Sequence, residues 1–234
     1  LTMIARGELT KQPKLLDSLI APQINMAKNA LSAASKDGLE SPQWSIAQKH
    51  ASTASLLHPE APQPQLILAE IDLIQGRIFK ARERYESILS KNPNNRTALE
   101  GMARCAGLED KKEEVEKYLI DVVRLFHDDW KAHYNLGVYY ADQNPINAEK
   151  HLRQAAVSAP EKYQPHLHLS RIYLDRGERS RGLAEANSCL QLAKEAECWY
   201  LRGRAYFDLE QYDKAEQDFR RTILADNQHH RARG

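Results

Sequence analysis

Three cysteines, nine histidines and nearly balanced acids and bases are the groups with which this chain could do chemistry. Cys105, Cys189 and Cys198 form no C-x-x-C and cannot all pair, so their spacing argues against a disulfide framework. It favours a reducing compartment and leaves a periplasmic one open. Cys189 and Cys198 fall where small apolar residues are wanted, and buried thiols are inert. His166 and His168 lie two apart, which on a helix turns them to different sides and away from a shared metal. His229 and His230 stand in the basic tail "HHRARG" and read as solvated, as does the charged run around Glu113 and Glu114. No phosphate loop, dinucleotide fingerprint, H-E-x-x-H or G-x-S-x-G occurs. The expectation is no catalytic residue, no cofactor and no metal.

The formal charge of +1 gives no global field that would draw the chain to nucleic acid or an anionic membrane, and the short basic tail has no interleaved aromatics. No apolar run reaches the length of a membrane span. The sequence opens at Leu1 and closes where another helix would start, so it reads as a piece of a longer protein. That leaves a signal or anchor upstream open, and the location cytoplasmic or periplasmic.

The elements that would have to position any site are helical. In "WYLRGRAYFDLEQYDKAEQDF", Gly203 stands inside an apolar-periodic stretch where glycine costs a helix about 1 kcal/mol relative to alanine. A bare backbone is useful there only where a neighbouring helix approaches closely. Trp199 and Tyr206 share one face, and Ala215, Phe219 and Thr222 recur at the spacing of a second amphipathic helix beyond a turn at residues 209–213. The stretch is a helix, a tight turn and a helix.

That unit recurs. Ser170, Tyr173, Gly182, Ala186 and Cys189 repeat its pattern, as do Leu136, Gly137, Tyr140, Ala148, Leu152, Ala155 and Pro160, with a turn one residue short. Leu99, Met102, Ala103, Val115, Leu119 and Val122 follow it again, and so do Leu68, Ala69, Gly76, Ala81, Tyr85, Ile88 and Pro93. Units start near residues 62, 96, 130, 163 and 196, a step of about 33 or 34 residues.

This order of Trp, Leu-Gly, Tyr, Ala, Phe, Ala and Pro resembles the tetratricopeptide repeat family. The resemblance implies an all-α fold, a right-handed superhelical solenoid of antiparallel helix pairs. Its units would be residues 62–95, 96–129, 130–162, 163–195 and 196–229, with a degenerate first repeat at 28–61. Residues 1–27 would be an extension with a short helix over 14–20 covering the apolar end, and 230–234 the start of a truncated next helix.

The resemblance further implies that first helices line a concave groove. The polar groove positions are then Glu70, Arg104, Lys131, Tyr134, Asn135, His168, Arg171, Tyr200, Arg204 and Asp208. Arg104, Arg171 and Arg204 occupy equivalent places and could form a ladder for a carboxylate-rich or extended peptide. Against that, Asp175 and Asp208 lie four residues beyond Arg171 and Arg204 and could neutralise them within the same helix. The family's carboxylate clamp for chaperone tails is absent: Asn135 suits its middle unit, but Glu100, Arg104, Gln164 and His168 stand where its other polar residues belong.

The function expected is a non-catalytic scaffold for a peptide or protein segment, without nucleic acid. The alternatives are an accessory domain of a larger enzyme or of a bacterial envelope, secretion, pilus or exopolysaccharide machine, and a homo-oligomer formed through the last unit, where Phe219, Ile223 and Leu224 lack a covering helix.

Overall fold

The computed structural model describes the backbone of residues 13–38 and 40–233 and the side chains of residues 16, 18–38 and 40–225. Among the described residues there are twelve helices and no strand. They are α1 (Pro13–Asp37), α2 (Gln43–Leu57), α3 (Pro62–Ile74), α4 (Ile78–Lys91), α5 (Arg96–Leu108), α6 (Lys112–Leu125), α7 (Trp130–Tyr140), α8 (Pro145–Ser158), α9 (Tyr163–Asp175), α10 (Arg179–Leu192), α11 (Ala196–Asp208) and α12 (Tyr212–Arg233). The chain divides into two compact units, the first ending at Val122 and the second beginning at Val123.

In the first unit each helix from α1 to α5 packs on the next, and α3 also touches α5. In the second unit the same holds from α7 to α12, with α9 touching α11. First helices of consecutive pairs therefore lie side by side in each unit.

One position explains the close packing. Ala69, Ala103, Gly137, Ser170 and Gly203 recur at the same place in their first helices, and all five are buried. A Cβ on Gly203 would stand 2.8 Å from the Phe219 ring, and one on Gly137 2.7 Å from Leu152 Cγ. Where serine replaces glycine, the Ser170 hydroxyl donates to the Gly182 carbonyl at 2.9 Å, and the tight approach moves to Gly182, whose Cβ would meet Leu174 at 2.6 Å. Tyr85, Leu152, Tyr173 and Leu201 fill the space between these crossings and are fully buried.

The turns repeat as faithfully. Gly76, Asp110, Gly177 and Glu210 all adopt positive φ, at 75°, 55°, 74° and 61°. The residue after each donates its N–H five residues back, Arg77 to Asp72, Lys111 to Ala106, Glu178 to Tyr173 and Gln211 to Tyr206, at 2.7 to 2.9 Å. This is a Schellman closure, which satisfies carbonyls left over at the helix end and requires one left-handed residue. The unit starting near residue 130 lacks it, in keeping with its shorter turn: Asn144 accepts from Asn147 N–H at 3.1 Å and Pro145 opens α8 directly.

Three sequence expectations are corrected here. No separate helix covers residues 14–20, because α1 runs unbroken through Pro22 to Asp37, so the expected boundary after residue 27 falls inside a helix. Its stripe of Leu16, Ile20, Ala27, Ala30 and Ala34 stays on one buried face across the exposed proline, with Leu16 and Ile20 against Ala54 and Leu57. At the other end α12 continues to Arg233, so residues 230–233 extend the last second helix rather than begin a new one. The side chains of His229 and His230, residues 1–12 and Gly234 lie outside the described residues.

The third correction concerns sulfur. Cys189 and Cys198 form a disulfide with a Cα–Cα distance of 5.9 Å, within the ordinary range, and only Cys105 is a free, buried thiol. The connection between α10 and α11 is short enough to bring the end of one helix against the first turn of the next. Closing so small a loop should contribute about 2–3 kcal/mol. Dithiothreitol should therefore lower the denaturation midpoint of the wild-type chain, and leave a Cys189→Ala, Cys198→Ala variant unmoved. Equal midpoints in all states would show the bond to be without effect.

Candidate functional site

Within each unit several of the residues expected to line a groove meet across first helices, and most are already engaged. In the first unit Arg104 makes a two-pronged ion pair with Glu70, Nη1 to Oε1 at 2.8 Å and Nη2 to Oε2. The hydrogen bond to Glu70 holds the guanidinium even more firmly charged, against the cost of its burial. The Tyr85 hydroxyl lies 3.4 Å from both partners. Arg104 thus joins α3 to α5 instead of standing free in a ladder.

In the second unit the Tyr134 hydroxyl meets His168 Nε2 at 3.1 Å, with the rings edge to face at 5.5 Å. Burial, assisted by Arg171, pushes the His168 pKa down. Trp130 packs on Tyr134 at 5.8 Å, and the Lys131 and Lys162 ammonium groups each lie 5.9 Å from the Trp130 ring. Lys131 and Asn135 are exposed. Tyr200, leaning on Phe219 at 6.1 Å, is 48% exposed.

Arg171 and Arg204 find carboxylates, but not those four residues on in their own helices. Arg171 pairs with Glu197 of α11, and Arg204 with Asp175 of α9 at 2.7 Å. Helical side chains lean toward the N-terminus, so an arginine followed by an acid at i+4 is the poorer orientation and the neighbouring helix supplies the better partner. Both arginines are therefore cross-helix ties. Asp208 is left half-buried without a hydrogen-bond or ion-pair partner among the described residues.

Sequence reasoning missed a histidine pair between α7 and α8, His133 buried and His151 half-buried. His133 Nδ1 and His151 Nδ1 are 3.0 Å apart, the rings stack at 5.3 Å, and His133 Nε2 lies 2.9 Å from the His127 carbonyl. A carbonyl only accepts, so His133 carries its proton on Nε2 and His151 donates from Nδ1. Burial first, then electrostatic repulsion involving His133 and Lys150, lowers the His151 pKa to about 4. An unfolded histidine titrates near 6.5. The folded state thus binds fewer protons between these values: its stability is full above about pH 6.5 and falls as the pH drops toward 4. Solvent reaching the ring reduces the full linkage value to about 2 kcal/mol. Urea midpoints from pH 7 to 4 should fall accordingly, with a shallower fall in His151→Asn; parallel curves would remove His151 as the cause.

Other charge clusters hold helices together. Glu149 receives Tyr173, Arg176 and Arg181 at 2.7 to 2.8 Å. Burial opposes its ionisation, yet these donors hold its pKa at about 2. Arg82 bridges Glu109 and Glu114, and Asp72 receives both Arg77 and Arg84. Among the described residues no group of three or more histidine, cysteine or carboxylate side chains is arranged to hold a metal, and no described helix is long and apolar enough to cross a membrane. Of the apolar residues expected without a cover, Ile223 and Leu224 are 60% and 63% exposed, whereas Phe219 is partly covered by its contact with Gly203.

Residues 196–227, the α11–α12 pair, match the tetratricopeptide repeat family. No curated protein matches the chain. Among solved structures it is similar to PilF of Pseudomonas aeruginosa, at 15% identity and a TM-score of 0.74, covering 87% of this chain and 90% of that one. It is also similar to PilW, a type IV pilus biogenesis factor, at 16% identity and a TM-score of 0.70, covering 86% and 90%. YrrB, a TPR protein with an unusual peptide-binding site, aligns at 16% identity and a TM-score of 0.59, over 76% and 93%. The chain contains a tetratricopeptide repeat and shares the all-α repeat fold of these structures.

Proposed function

We propose that the chain is a non-catalytic scaffold that holds an extended peptide or partner segment along the first helices of its pairs. The observation that carries this reading is the row of first helices in the second unit, tied by Tyr134–His168 and by the Arg171 and Arg204 bridges. With those groups locked, the row still offers Lys131, Asn135 and Tyr200 to solvent. A wall whose side chains are fixed before binding loses little entropy when a partner docks, and exposed aromatic and amide groups supply contact area and hydrogen bonds. A short segment would bind with about micromolar affinity, or −8 kcal/mol. The similarity to PilF and PilW favours an envelope or pilus assembly as the setting, and that to YrrB favours a peptide as the ligand.

Site-directed photo-cross-linking tests the wall. A benzophenone amino acid at Asn135 or Tyr200 of the full-length protein in its native cell should give one discrete adduct. The same group at Ser188, on second helix α10, should not. Equal adducts from both faces would overturn the assignment.

A further inference from the structure

We propose that the recess between the first turns of α9 and α11 receives one basic side chain, lysine or arginine, of a bound partner segment; this rests on the peptide-binding reading above. The recess has a volume of about 430 Å³ and is lined by Tyr163, Leu167, Glu195, Glu197, Tyr200 and Thr222, among others. Leu167 is buried and shares the apolar cluster of Cys189 and Cys198, so the disulfide braces one wall. Tyr163 and Tyr200 give aromatic surface for an alkyl stem and a cation, and the two glutamates give acceptors.

Charge decides which side chain fits. No lysine or arginine lines the recess. Glu197 is balanced by Arg171, but the Glu195 carboxylate has no hydrogen-bond or ion-pair partner among the described residues. It is half-buried, and after burial itself its charge is what pushes the Tyr163 phenol up. An acidic ligand would be repelled, and an apolar one would strand that carboxylate away from water. A cation satisfies it.

An acid beside a helix N-terminus can also serve the helix alone. The preceding pair speaks against that as the whole reason: α9 starts normally with Lys162 and Gln164 at the places of Glu195 and Glu197, so this fold does not require carboxylates there.

Amide chemical-shift mapping with n-butylguanidinium and n-butylammonium as probes, and n-butanol as the uncharged control, tests the proposal on the intact chain. Saturable shifts should appear at residues 163, 167 and 195–200 with either cation and not with the alcohol. Glu195→Gln, which leaves the Arg171–Glu197 tie in place, should weaken binding about tenfold at an unchanged thermal midpoint. No saturable shift at these residues, an equal response to n-butanol, or unchanged affinity in the variant would overturn it. If wall cross-links persist while the cations fail to bind, the recess alone is refuted and the scaffold reading stands.

Discussion

Asp218→Ala should destabilise the protein by about 3–5 kcal/mol, because it leaves a largely buried arginine without its counter-charge. Asp218 is 1% exposed and takes Arg202 in a fork, Nε to Oδ2 at 2.6 Å and Nη2 to Oδ1 at 2.9 Å, with Arg221 Nη1 adding a third bond at 3.1 Å. The two guanidinium groups also lie 4.8 and 4.6 Å from the centre of the Trp199 ring. One carboxylate therefore fixes α12 on α11 and both cations on the tryptophan. Burying a paired charge is worth much less than the damage done by unpairing it, so the double variant Arg202→Met, Asp218→Leu should recover more than half of the loss. Denaturant midpoints at constant slope measure both effects. A single-variant loss below about 1 kcal/mol would make the pair a surface tie.

Tyr85→Ala should cost a comparable amount, about 3–5 kcal/mol, for a different reason. Its ring is fully buried among Ala69, Leu73, Ala81, Ile88, Ala98, Met102 and Cys105. It also occupies the space that Gly101 leaves open, since a Cβ on that glycine would run into the ring. Removal empties a cavity shared by α3, α4 and α5 that rigid neighbouring helices cannot close. Tyr85→Phe should cost only about 1 kcal/mol or less, because the hydroxyl contacts at 3.4 Å are long. If the phenylalanine variant matched the alanine variant, the polar contact and not the packing would carry the effect. The Glu70–Arg104 tie sits over this ring, so the same change should loosen the first-helix wall of the first unit.

Local spacing made the repeat legible. Small residues at a fixed place in every first helix, and apolar residues three and four apart on either side of a short turn, restrict a chain to stacked helix pairs, whatever its loops contain. The turn of the unit starting near residue 130 could even be counted one residue short, and α7 and α8 meet there without a left-handed residue. Spacing was weaker at the ends. The sequence expectation ended a short helix at residue 20 and the extension at 27, and only packing against α2 shows why one helix continues through Pro22.

Spacing could name equivalent places on the first helices, but not the partners of the side chains there. Arg171 and Arg204 were each four residues from an acid, and the structure gave them acids on other helices. His133 and His151, Cys189 and Cys198, and Glu195 with Tyr163 are pairs whose meaning arises only when separate helices bring them together. The sequence by itself determined the stack of helix pairs, because that depends on periodicity along one chain, whereas the expectation that first helices face a ligand came from the family resemblance. Tertiary structure decided which charges were already spent and which carboxylate was left over, because a partner is chosen by distance in space and the nearest opposite charge lay on a neighbouring helix.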